Sequence, residues 1–230
     1  MSVIATSTNV FSTVIKHEYE PSVGFCREAV TVYDAASTFT PGSVLGRFLA
    51  SPVCTPAAVV GTGNGSIGTV TGTGKAVIGT YTLRIVLAAT NAGNFELFNP
   101  NGVLVGVGTV GTAFVSPDMT FTLADGSTDF ALGDTIAIAV TGTYKYKLVE
   151  ATATDGTAVA AGIYIADVSG NSGDVAIAAN TDTTVLAIVR GPVVYSKDKL
   201  SFGASVDTTA EKNKAYAELA ALGIVAATTA

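Results

Sequence analysis

Apolar and polar residues alternate with a period of two over short stretches of this chain, and turn-forming residues interrupt the stretches every few positions. Alternation of this kind puts one set of side chains on a buried sheet face and the other in water, so each stretch predicts a strand. Strands are expected at 25–33, 44–48, 81–87, 95–98, 103–105, 119–123, 135–140, 162–166 and 184–189. Between them lie turns. Thr40-Pro41-Gly42-Ser43 precedes the second strand, and Asn99-Pro100-Asn101-Gly102 joins the fourth to the fifth. In the latter, Pro at the second position presets φ and Gly at the fourth suits a type I turn. Asp125-Gly126 turns the chain between 119–123 and 135–140, and together these elements predict a small antiparallel sandwich.

One segment has helical spacing. Thr208 followed three residues later by Glu211 is a capping box; Ala215, Leu219 and Leu222 form an apolar stripe; Gly223 can close the end in the left-handed conformation. The expected fold class is therefore mainly β, a small β-rich core with one C-terminal helix plus an inserted sandwich-like module.

Composition divides the chain. Residues 53–141 hold 14 of the 25 Gly but only 7 of the 30 charged residues, which predicts a module separate from 21–52 and 142–230. Residues 1–20, with Ile4, Val10, Phe11, Val14 and Ile15 and no Gly or Pro, predict an extended, mobile arm able to add as a strand to a partner. Gly-Thr pairs beginning at Gly61, Gly68, Gly72, Gly79, Gly108, Gly111, Gly142 and Gly156 have no constant interval, so no solenoid is expected.

Charge and hydropathy exclude several classes. A net charge of −6 and twelve scattered Lys and Arg do not make a phosphate-binding surface, so no nucleic-acid partner is expected. Mean hydropathy is +0.49, yet nowhere do eighteen apolar residues run together, and no membrane span is expected. Charged residues make up only 13% of the chain, which suggests surface covered by neighbouring subunits. The first ten residues carry no basic leader before an apolar run, so synthesis in a host cytoplasm is expected, with Cys26 and Cys54 as thiols rather than a disulfide.

Candidate chemistry is sparse. His17 is the single histidine and lies beside Glu18 and Glu20 in the expected arm, without a frame for general-base or metal chemistry. Asp125, Asp129 and Asp134 could offer carboxylates to a calcium ion, but no Glu closes an EF-hand loop, and polar hairpin loops explain them better. Asp155-Gly156 and Asp174 are turn residues, Gly72-Thr73-Gly74-Lys75-Ala76 lacks the hydroxyl of a phosphate loop, and no nucleophile elbow exists. Neither enzymatic activity nor a cofactor or metal is expected.

The flanking segments together resemble a known family. Ala29-Val30-Thr31-Val32, then Pro41-Gly42-Ser43-Val44-Leu45-Gly46, then Lys145-Tyr146-Lys147 leading to Asp155-Gly156 and Gly162-Ile163, look like the core of the head decoration proteins of lambda-like tailed phages. Val185-Leu186-Ala187-Ile188-Val189, Leu200-Ser201-Phe202-Gly203 and Leu222-Gly223-Ile224 continue the pattern. The resemblance covers about 1–52 and 142–230, with Gly42, Leu45, Gly46, Asp155, Gly156, Gly162, Gly203 and Gly223 as its core residues. Phe95, Phe98, Asn99-Pro100 and Gly102 resemble the extra module of longer relatives. The resemblance implies a homotrimer on the outer surface of the virion capsid, seated at local three-fold positions on the major capsid protein and holding the head against internal DNA pressure. An adhesin or glycan-binding β-protein of a phage or cell surface is the alternative, weakened by the absence of Trp.

Overall fold

The computed structural model describes residues 10–227. The chain is mainly β with one long helix near its C-terminus, as its residue pattern predicts. It divides into two compact units, with the boundary between Phe48 and Leu49 and again between Thr143 and Tyr144.

The first unit is built on four strands in the order Arg27–Val32, Thr183–Ile188, Ala160–Asp167, Val44–Pro56, with antiparallel pairing throughout. Successive residues point to opposite faces of a sheet, and here both faces are covered. Val44, Ile163, Ile165 and Ile188 enter one core with Ala215, Leu219 and Ile224. Their neighbours Leu45, Tyr164, Val185 and Ala187 enter a second core with Phe39 and Ile177, which the antiparallel pair Ser37–Phe39 and Val175–Ile177 supplies. Double coverage explains why Ala160–Asp167 is a nearly continuous buried run rather than an alternating one.

A small sheet closes the first core. Ile15–Glu18 pairs antiparallel with Val193–Tyr195, which pairs parallel with Ile224–Ala226. The helix Thr209–Ala221 begins at Thr208, whose hydroxyl accepts from Glu211 N while the Glu211 carboxylate accepts from Thr208 N. Ala215 and Leu219 are buried, but Leu222 lies beyond the last helical turn and is 38% exposed, so the predicted stripe is one residue shorter than its spacing suggests. Gly223 ends the helix at φ +77°.

The second unit is a sandwich. One sheet carries Gly79–Ala89, Ala92–Phe98 and Leu104–Thr109 in sequence, with Thr135–Leu148 antiparallel to the first of these. The other pairs Met119–Ala124 with Ala113–Val115 on one side and with Ser66–Ile67 and Thr71–Gly72 on the other. Ala92–Phe98 alternates strictly, its Phe95 and Leu97 inward. Phe95, Phe114 and Phe121 form an aromatic cluster with ring centroids 5.0–5.8 Å apart. The Asn99 turn forms as expected: Gly102 N donates to Asn99 O at 2.9 Å, and the Asn99 side chain accepts from Asn101 N and Val103 N.

Candidate functional site

The N-terminal segment is where the structure departs most from the sequence pattern. Ile4 lies outside the described residues. Of the other four apolar residues expected to dock on a partner, Val10 is exposed, Phe11 packs partly buried against the first core, and Val14 and Ile15 are inside it, 0% and 6% exposed. Residues 10–20 are therefore not a free extended arm. Phe11–Val14 makes one helical turn, its Phe11 N donating to Ser172 Oγ, and the chain then becomes the edge strand Ile15–Glu18. The strand's partner lies near the other end of the chain, so no local turn signal was needed to fold it back.

An ion pair fixes this strand. The Glu18 carboxylate, nearly buried, accepts from Arg27 Nε at 2.9 Å and Arg27 Nη2 at 2.7 Å, and the guanidinium also covers the Phe11 ring at 4.7 Å. One cation thus ties the helical turn, the edge strand and the start of Arg27–Val32 together. The Cys26 thiol is buried beside the carbonyls of Tyr19 and Pro192, and burial pushes its pKa up. Both cysteines are free thiols.

Between Glu18 and Cys26 the chain makes an exposed loop that the sequence pattern did not mark. Val23 N donates to Glu20 O and Gly24 N to Pro21 O, a tight double turn that leaves Tyr19, Val23 and Phe25 at 49%, 73% and 48% exposure. The Tyr19 and Phe25 rings meet edge to face at 5.8 Å. Phe25 had the look of the first residue of a strand; Pro21-Ser22-Val23-Gly24 was the available turn signal. Large apolar side chains held outward by a structured loop are what an interaction surface needs.

The core residues of the family pattern all fall in the first unit, where they bring backbones close together. Gly42, at φ +102°, donates to Tyr164 O and accepts from Ser201 N, so it joins two segments far apart in sequence. Gly46 lies flat against Thr157, Gly162 against the Ile188 carbonyl and Gly203 against Glu150, each with no space for a β-carbon. Leu45 is wholly buried. Asp155 accepts from Thr157 N and its hydroxyl and pairs with Lys147 at 2.8 Å; burial acts to raise its pKa, and these contacts lower it below the ordinary value. Gly156 follows at φ +104°, and Gly223 packs on Gly191. These residues build the scaffold rather than a reactive centre.

No reactive centre assembles elsewhere among the described residues. His17 is exposed on its edge strand. Asp134 is buried with three N–H donors from Thr62, Gly63 and Ala131 on its carboxylate, Asp129 accepts from Asn91 N, and both carboxylate oxygens of Asp125 are buried without a hydrogen-bond partner; the three do not form a cluster that could hold a metal ion. Among the described residues no cluster of His, Cys, Asp and Glu could hold a metal ion, and no helix is long and apolar enough to cross a membrane.

The described residues thus build a β-rich scaffold of close backbone contacts with an exposed loop bearing Tyr19, Val23 and Phe25. The family model for bacteriophage lambda head decoration protein D matches residues 4–224, and the chain belongs to that family, which is one of structural proteins of the phage capsid and not of enzymes. No curated protein matches it. Among solved structures, two crystal structures of Xanthomonas campestris FlgL, in space groups H3 and C2, are similar at 18% and 15% identity, each with a TM-score of 0.28. The first likeness covers 50% of this chain and 33% of that one, the second 54% and 40%, so this chain spans well under half their length. A likeness at that score carries no argument about fold or function.

Proposed function

We propose that the chain binds the outside of the mature head as a homotrimer at local three-fold positions and clamps the major capsid protein against internal DNA pressure. The observation that carries this reading is the family match over 4–224, which runs through both units and the N-terminal segment. The contacting surface comprises the N-terminal residues up to Phe11 together with the loop bearing Tyr19, Val23 and Phe25. Val14 and Ile15 serve it by anchoring the segment, not by touching the capsid. Three such surfaces on one trimer act together through effective concentration, so each can be weak alone.

The anchoring changes how the proposal is tested. A truncation reaching residue 15 would remove core side chains, whereas one lacking residues 2–9 leaves them in place. The full chain is expected to co-sediment with expanded, DNA-free heads and to shift their thermal disruption upward; the 2–9 truncation is expected to lose most of that binding while staying folded. Undiminished binding by the truncation would remove the N-terminal residues from the surface. Failure of the full chain to bind heads, with binding to a glycan array instead, would overturn the reading.

The 53–141 module is proposed to lie outside the clamp. Deleting it, with Pro52 joined to Gly142 by a short linker, is expected to leave head binding intact, and loss of binding by a folded deletion would place the module in the clamp. Trimerisation requires a contact on the order of 1,600 Å², and sedimentation of a monomer at micromolar concentration would contradict it.

A further inference from the structure

Asn-Gly occurs twice in the chain, at Asn64-Gly65 and Asn101-Gly102. Glycine has no β-carbon to hold its amide nitrogen away from the preceding side chain, and its backbone turns freely. Where the local chain is free to move, that nitrogen reaches the side-chain carbonyl carbon of the asparagine before it. Both pairs lie in the 49–143 unit and both asparagines are exposed, so exposure does not separate them. Hydrogen bonding and space do.

Asn64 is held at both ends of its amide: Oδ1 accepts from Thr128 N at 2.9 Å, and Nδ2 donates to Ser127 Oγ at 2.9 Å. Gly65 is buried, with the Ala124 carbonyl oxygen and the Phe130 ring filling the space where a β-carbon would stand. Closing a ring between Asn64 and Gly65 would break both side-chain bonds and turn a backbone that has no room to turn. Asn101 is different. Its N–H donates to Asn99 Oδ1, but among the described residues its side-chain amide makes no hydrogen bond. Gly102, at φ +76°, has nothing within 4 Å of its β-carbon position. Gly102 N does donate to Asn99 O at 2.9 Å, yet residues 101–103 are all exposed, so opening that bond disturbs no buried side chain and costs little.

We propose that Asn101 is a site of spontaneous deamidation in the folded protein and that Asn64 is protected from it. Gly102 N gives up its proton to water and bonds to Asn101 Cγ; the Cγ–Nδ2 bond breaks and Nδ2 leaves as ammonia, so a five-membered succinimide forms. One water molecule then opens the ring. Attack at Cγ gives aspartate, and attack at the main-chain carbonyl gives isoaspartate, in which the main chain runs through Cβ. The co-reactant is water alone, and no electrons are transferred. From 97 to 117 the sequence contains no Asp, Glu, Lys or Arg, so either product puts a negative charge into a neutral stretch. Isoaspartate also lengthens the turn between Ala92–Phe98 and Leu104–Thr109, where Asn99 Oδ1 accepts from both Asn101 N and Val103 N.

The test is incubation of the folded full chain in mildly basic buffer, followed by proteolysis and mass spectrometry of the peptides that carry each asparagine. A parallel sample is incubated in denaturant. In the folded chain Asn101 is expected to convert at least about tenfold faster than Asn64, with chromatography resolving its aspartate and isoaspartate peptides, and to slow in mildly acidic buffer because the attacking nitrogen must lose a proton. In denaturant the two sites are expected to convert at similar rates, since the protection of Asn64 belongs to the fold. Conversion of Asn101 no faster than that of Asn64 in the folded chain would overturn the proposal. So would a preference for Asn101 that persists unchanged in denaturant, which would trace it to the neighbouring residues in sequence rather than to the structure.

Discussion

Gly46→Ala is expected to destabilise the unit formed by 10–48 and 144–227 strongly and to lower its thermal midpoint steeply. The added β-carbon would overlap the Thr157 carbonyl oxygen and lie 2.7 Å from both the carbonyl carbon and the Cα of that residue. All three are backbone or Cα atoms, so no flexible side chain can retreat. The Thr157 backbone is itself held: its N–H and hydroxyl donate to Asp155 Oδ1 at 3.1 and 2.6 Å, and its carbonyl accepts from Glu150 N. Relief would require moving the strand Val44–Pro56 away from Ala160–Asp167 at the point where Gly46 faces Ala160, which separates both cores of the unit. Overpacking of this kind costs about 3 kcal/mol or more, a large share of a domain's stability. Thermal unfolding monitored by near-ultraviolet circular dichroism checks it, with Gly68→Ala, which meets nothing within 4 Å, as the control expected to change little. A Gly46→Ala protein as stable as the control would show that the contact with Thr157 does not hold the scaffold.

The second large effect lies in the other unit. Asp134 is 4% exposed and its carboxylate accepts from Thr62 N at 3.0 Å, Gly63 N at 2.8 Å and Ala131 N at 2.9 Å. The side chain thereby pins the 60–63 loop to the start of Thr135–Leu148. Asp134→Ala leaves three donors without partners, and at least about 3 kcal/mol of stability should be lost with them. Burial alone would raise the carboxyl pKa, but the three backbone donors favour the charged form and hold it below its ordinary value. A group whose pKa is lowered on folding contributes stability that is fully present above the unfolded value, about 3.9, and is lost as pH falls through the native one. The midpoint of the 49–143 transition is therefore expected to be flat down to about pH 5 and to fall in more acid solution, and Asp134→Asn should flatten that acid limb while lowering stability at neutral pH. An acid limb identical in wild type and Asp134→Asn would remove Asp134 from this role.

Much of the sandwich was legible because each of its strands has one wet face: Gly79–Ala89, Ala92–Phe98 and Met119–Ala124 keep the period of two that the alternation predicts. The terminal helix was legible because its capping box is local. Two things were hidden. Val44–Pro56 and Thr135–Leu148 run well beyond the strands expected at 44–48 and 135–140, because Pro52 and Gly142 read as breaks, and because the first of these strands is continuously buried at its start and alternates only later. The docking of Val14 and Ile15 was hidden for a different reason. A strand that pairs with Val193–Tyr195 depends on a partner far along the chain, and five apolar residues without a turn describe a free arm and a docked edge strand equally well. The family glycines were visible as glycines, but the need for Gly46, Gly162 and Gly203 comes from backbones that approach them in space, which spacing along the chain does not encode.

The central claim is that this chain decorates a phage head from outside through its N-terminal segment and the Tyr19–Phe25 loop. An electron cryomicroscopy reconstruction of expanded heads incubated with the full chain tests it most directly. The account predicts three-lobed density on the outer surface at the local three-fold positions, with the N-terminal segment and that loop against the capsid and the 49–143 unit making no contact with it. Density at other positions, or heads contacted chiefly through the 49–143 unit, would contradict it.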